Sequence, residues 1–116
     1  MNRQHRTFEP LFKEMTRYEQ TENSLRKYTG NWAVAIQGKT ISSSEWTVES
    51  GDAVLTNESS QSGTTSVFIN GTPGENTIVN KVTLNTGEVE EHILKLKIKD
   101  NDEPIIEDDY WNGLVR

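Results

Sequence analysis

The sequence contains no cysteine, which excludes a disulfide framework, a thiolate nucleophile and any cysteine-ligated zinc. Histidine is nearly absent: His5 and His92 are the two, and neither stands in the His-x-His or His-Glu-x-x-His spacing that holds zinc. Only 32% of the residues are hydrophobic, and the longest unbroken apolar run, Trp32-Ala33-Val34-Ala35-Ile36, is far too short for a membrane-spanning helix. No apolar stretch succeeds the basic residues 1–6, so a secretory signal is not expected. The chain does have three tryptophans and several alternating apolar runs within 116 residues. That combination reads as one small folded domain, not as two domains or a disordered chain.

The net charge is −6, and its distribution is uneven. Residues 1–31 hold six Lys/Arg against four Glu, whereas residues 100–116 hold six acids and only Arg116. An acidic body with a strongly acidic tail repels phosphate, which disfavours nucleic acid as a partner. No membrane partner is expected either.

Three regions separate by texture: an N-terminal arm (1–31), a body (32–99) and an acidic C-terminal tail (100–116). In the arm Phe8, Leu11, Phe12, Met15 and Tyr18 are spaced 3-4-3-3, which suits one face of a short helix near 9–20. An equally simple reading is an arm that orders only when a partner covers that stripe. From Trp32 to Lys99 the period becomes two. Thr65, Val67 and Ile69 share one parity before Asn70-Gly71, and Ile78, Asn80, Val82 and Leu84 alternate before Asn85-Thr86-Gly87. His92, Leu94, Leu96 and Ile98 then oppose Lys95, Lys97 and Lys99, the clearest amphipathic strand in the chain. Strands at this spacing predict an all-β fold, a small antiparallel sandwich. The tail carries Ile105-Ile106, three acids and Tyr110-Trp111, a composition that suits a docking peptide better than a spacer.

Motifs for chemistry are weak. Residues 33–40 match a relaxed phosphate-loop pattern, but Ile41-Ser42-Ser43-Ser44-Glu45-Trp46, directly after it, reads as turn and strand instead of the helix that phosphate binding requires. Asp100-Asn101-Asp102-Glu103 gathers oxygen ligands suited to calcium, yet lacks the spacing of an EF-hand and reads first as a solvated linker. Glu90 and Glu91 point to opposite faces of a strand and cannot share a substrate. The loop serines lack a nucleophile elbow. Two glycosylation sequons, at Asn57 and Asn70, are expected to be inert without export. No active site assembles, so the chain is not expected to be an enzyme, and no metal or cofactor is implied.

The order of features over residues 28–99 does resemble a known family. Tyr28-Thr29-Gly30-Asn31-Trp32 leads into Ile41-Ser42-Ser43-Ser44-Glu45-Trp46, then Gly71-Thr72-Pro73-Gly74-Glu75, Asn80-Lys81-Val82-Thr83-Leu84, Asn85-Thr86-Gly87 and a charged closing strand, 88–98. This resembles the immunoglobulin-like fiber–tail adaptors of tailed bacteriophages, although Asn76-Thr77 stands where those proteins commonly carry an aromatic. The resemblance implies a virion structural protein that joins tail fibres to a tail or neck ring, present in several copies and assembled in the host cytoplasm. The partner-binding residues expected from the sequence itself are Phe8, Leu11, Phe12, Met15 and Tyr18 in the arm and Ile105, Ile106, Tyr110 and Trp111 in the tail, two segments with no counterpart in that family. Trp46 would be the core anchor between sheets. A capsid decoration protein and a non-viral β-sandwich binding module are the alternatives.

Overall fold

The alternating segments become strands. The structure, a computed structural model, describes residues 5–10 and 14–100, and among them there are eight strands and no α-helix. They are β1 (His5–Phe8), β2 (Met15–Thr21), β3 (Arg26–Asn31), β4 (Ile41–Ser50), β5 (Val54–Ser60), β6 (Thr64–Asn70), β7 (Gly74–Leu84) and β8 (Val89–Lys99). The parities read from the sequence hold. Thr65, Val67 and Ile69 in β6, Ile78, Asn80, Val82 and Leu84 in β7, and His92, Leu94, Leu96 and Ile98 in β8 are all buried. Each strand thus turns one row inward, as a half-buried sheet requires.

Two four-stranded sheets face each other, in the orders β1-β3-β6-β5 and β2-β8-β7-β4. This is the all-β immunoglobulin-like sandwich expected, with two departures from antiparallel pairing. β1 runs parallel to β3, and β2 runs parallel to β8. β1 and β2, adjacent in sequence, lie in different sheets. Asn85-Thr86-Gly87 closes the β7–β8 hairpin, with Gly87 at φ 94 and Leu84 N donating to Glu88 O. Asn70-Gly71, by contrast, joins the sheets. Gly71 suits the close approach there: a Cβ would lie 2.9 Å from Ile98 Cδ1 and 3.2 Å from Ala53 Cα.

A buried polar group links the two sheets at the centre. Asn80 is fully buried; its Oδ1 accepts from Trp32 Nε1 (3.1 Å) and Thr65 Oγ1 (2.6 Å), and its Nδ2 donates to Ser44 Oγ (3.1 Å) and Glu45 O (3.2 Å). All four hydrogen-bonding positions of the amide are filled. Trp32, also buried, shares its N–H with Thr65 Oγ1 at 3.2 Å. Trp46 is buried as expected, in edge-to-face contact with Phe8, but its indole N–H meets no acceptor among the described residues. Of the two described tryptophans, Trp32 is therefore the one whose polar end is satisfied.

The arm must be redrawn. Residues 5–8, 15–21 and 26–31 are strands of both sheets, so the sandwich begins inside the segment read as an arm, and the helix expected near 9–20 does not form. Met15 and Tyr18, which would share a helix face, have opposite parity in a strand. Met15 pairs with Ile93 on the outer row, while Tyr18 pairs with Leu96 on the inner row. Thr16 and Thr21, poor helix formers, suit the strand.

Phe8, expected to dock on a partner, is 2% exposed and belongs to the chain's own core. Its ring stacks on His92 at 4.6 Å and fills the space above Gly30. A Cβ at Gly30 would lie 2.6 Å from Phe8 Cζ and 2.8 Å from Thr65 Oγ1. Gly30→Ala should therefore cost about 1–3 kcal/mol by overpacking in denaturant unfolding. In the same assay Trp32→Phe should cost about 1–3 kcal/mol more than Trp46→Phe, because only the former removes a satisfied donor from a buried network.

Candidate docking surfaces

One cluster of charged and aromatic side chains sits where β1 and β2 part. Arg6 of β1 donates from Nη1 to the Glu19 carbonyl of β2 (2.6 Å) and to Tyr28 Oη of β3 (3.1 Å). Its guanidinium lies 5.7 Å and 5.6 Å from the ring centroids of Tyr18 and Tyr28, which meet edge-on at 5.1 Å. Tyr28 Oη donates to Gln20 Oε1 at 2.5 Å, and Gln20 Nε2 donates to the Ile69 carbonyl at 3.0 Å. Burial pushes the Tyr28 hydroxyl up to about 12 in spite of the neighbouring Arg6. Burial likewise raises Tyr18, again against Arg6. The cluster joins the two sheets across their β1/β2 side, and Tyr18 is spent in it as a half-buried structural residue.

A second feature lies on the outer face of the β2-β8-β7 sheet. A groove of about 380 Å³ is lined by Arg17, Tyr18, Glu19, Glu75, Lys95 and Lys97. Arg17 stands directly opposite Lys95, and Glu19 opposite Lys97. Lys95 Nζ donates to Thr77 Oγ1 at 2.9 Å, and Glu19 is paired with Lys99 at 2.9 Å. Beyond the cations an apolar row crosses the face, formed by half-buried Met15 and Ile93 with Val79. This face can hold an extended segment bearing carboxylates and apolar side chains. The arrangement offers no nucleophile with an activating base, and the described residues contain no group of three His, Cys, Asp or Glu that could hold a metal.

Comparison with known proteins decides what kind of scaffold this is. Residues 20–97, more than half of the chain, match the family described as "Podophage GP4 fiber-tail adaptor protein gp77". The chain belongs to this fiber–tail adaptor family. Membership gives the adaptor a structural role in the phage tail and points away from catalysis. Its fold is shared with the crystal structure of the cysteine protease inhibitor EhICP2 from Entamoeba histolytica, at a TM-score of 0.55 and 10% identity over 82% of this chain and 95% of that one. The solution structure of the PKD domain from KIAA 1837 protein aligns at a TM-score of 0.50 and 11% identity, over 75% of the adaptor and 84% of that domain. At such identities the likeness shows the sandwich alone. No curated protein matches the adaptor sequence.

The residues singled out in the sequence scatter when set on this fold. Of the expected partner-binding set, Phe8 is core, Tyr18 belongs to the Arg6 cluster, and Met15 lies in the outer apolar row. Leu11, Phe12, Ile105, Ile106, Tyr110 and Trp111 lie outside the described residues, as do positions 101–103 of the calcium-like run. The phosphate-loop match is a run of turns ahead of β4. Its Lys39 pairs with Glu88 at 2.9 Å, and that contact, with a hydrogen bond from Thr86, holds the Glu88 carboxyl below its ordinary range.

Sequence reasoning missed Arg6, whose role needs β1 and β2 to meet across the sandwich. The departure at Asn76 also finds its use. Asn76 is buried; its Oδ1 accepts from Ala53 N at 2.9 Å and its Nδ2 donates to Leu96 O at 3.3 Å, tying the β4–β5 connection to the sheet. An aromatic ring could not make those two bonds.

The Tyr28 shift has a consequence for alkaline stability. A hydroxyl whose value is raised on folding stabilises the native state fully below pH 10, its unfolded value, and progressively less as pH rises to about 12. The adaptor should lose stability across that window. Tyr28→Phe should flatten this part of the pH profile while costing about 1–2 kcal/mol at neutral pH for the lost hydrogen bonds, as measured by denaturant unfolding at stepped pH.

Proposed function

We propose that the adaptor is a passive link of a podophage particle that holds a tail fibre on the tail or neck ring, with the sandwich as a rigid spacer. In this reading the C-terminal segment docks on a neighbouring virion protein through Ile105, Ile106, Tyr110 and Trp111, and its acidic residues set charge complementarity. Leu11 and Phe12, in the connection between β1 and β2, provide a second anchor. Several identical copies are arranged by the symmetry of the ring, and the protein is assembled into virions in the host cytoplasm. The single observation that carries the reading is the family match across residues 20–97. Of the aromatics expected to serve partners, Phe8 is consumed inside the sandwich, so the docking rests on those outside it.

Quantitative mass spectrometry of purified particles, counted against the major capsid protein, tests this directly. A small copy number that fits a ring, lost when residues 101–116 are deleted, is the expected result. A count rivalling the capsid protein would make the chain a decoration protein, and absence from particles would overturn any virion role.

A further inference from the structure

The outer face of the β2-β8-β7 sheet carries a charge arrangement that the fold itself does not need. Arg17 and Lys95 stand in direct cross-strand register, and Lys97 is next on the same face. Like charges set opposite one another destabilise a sheet. Lys97 has carboxylates in register on both sides, Glu75 on β7 and Glu19 on β2, the latter also engaged by Lys99, whereas Arg17 and Lys95 have no carboxylate opposite them. The Thr77 hydroxyl orients the Lys95 ammonium but brings no charge. A facing pair of cations, Arg17 and Lys95, is thus built into a protein whose net charge is −6, and an anionic segment laid over it would relieve the repulsion.

The order of chemistry along this face matches the order along the C-terminal segment. Moving back from Lys99 along β8, the face presents Lys97, then Lys95 with Arg17 beside it, then Ile93 in the apolar row with Met15 and Val79. Moving forward along the segment, the sequence presents Glu107-Asp108-Asp109, then Tyr110-Trp111. Lys97 to Ile93 and Glu107 to Trp111 are equal steps of extended chain, ~13 Å each at ~3.3 Å per residue. The chain leaves β8 at Lys99, the cationic end of the face. Residues 100–104 exceed the roughly four that a reversal of direction takes.

We infer that in the free protein the segment 105–111 of the chain lies along its own β2-β8-β7 face, with its carboxylates on Arg17, Lys95 and Lys97 and its aromatics on the Met15–Ile93–Val79 row. Because the segment is tethered at the edge of its binding face, its effective concentration there is high and modest contacts suffice. The docking concerns the free chain and stands apart from any role in the particle.

The absence of cysteine makes the test clean, since Asn112→Cys supplies a unique attachment point for a nitroxide spin label on the full-length chain. Paramagnetic broadening of amide signals should concentrate on Arg17, Ile93, Lys95 and Val79. It should be lost when NaCl is raised to about 0.5 M, where the screening length shrinks to roughly 4 Å. The triple change Glu107→Gln, Asp108→Asn, Asp109→Asn should also abolish it without touching any strand, as should Lys95→Glu with Lys97→Glu. Broadening that is evenly spread, centred elsewhere, or unchanged by neutralising the three acids would overturn the proposal. Labelled chain mixed with unlabelled, nitrogen-15-enriched chain gives the last arm: broadening there would assign the face to a neighbour's segment instead of the chain's own.

Discussion

The buried amide of Asn80 is the constraint around which the sandwich is organised. A polar group at the centre of a small core is tolerable only when every donor and acceptor is met, and here the partners come from both sheets. Thr65 belongs to one sheet, Ser44 and Glu45 to the other, and Trp32 to the connection between them. Sliding either sheet by one residue would strand the amide without partners and turn the buried rows outward. The network therefore fixes how β6 packs against β7 and β4 of the facing sheet. Apolar residues then fill in on either side: Trp32, Ile36, Val82 and Leu84 at one end, and the larger group around Tyr28, Trp46, Val67 and Leu94 at the other.

Much of this was legible in the sequence, and the parts that were not share a cause. Alternation in β6, β7 and β8 is a local signal, so the buried rows and the Asn85-Thr86-Gly87 hairpin could be read from neighbouring residues. β1 and β2 are different. Each is short, and its pairing partner, β3 for one and β8 for the other, is set by the topology of the whole sandwich. Phe8, Met15 and Tyr18 happen to fall at helical spacing, yet they serve a core, an outer row and an Arg6-bound cluster respectively. The expectation that Phe8 serves a partner failed because a large aromatic in a polar segment looks exposed until a glycine is found beneath it. Gly30 was visible in the sequence; the ring it makes room for was not.

The candidate surface was harder still to read. Lys95 and Lys97 were recognised as the solvent side of a strand, but Arg17 sits in a segment read as helix, and only the parallel β2–β8 register brings it opposite Lys95. The family resemblance, by contrast, rested on the order of turns and strands over residues 28–99, which is local in the sequence. The folds of a protease inhibitor and a PKD domain sit close to the adaptor at 10–11% identity. At such identity the sandwich alone is shared, and a shared fold does not by itself assign a task.

The place of β8 in its sheet has a mechanical meaning. β8 is not an edge strand: β2 flanks it on one side and β7 on the other, along most of its length. Tension applied to the C-terminus along the strand axis meets both ladders at once, with their hydrogen bonds lying across the direction of pull. Such bonds must yield together in shear; they cannot be peeled one by one as at a free edge. An anchor placed after Lys99 would therefore pass its load into the middle of the sheet.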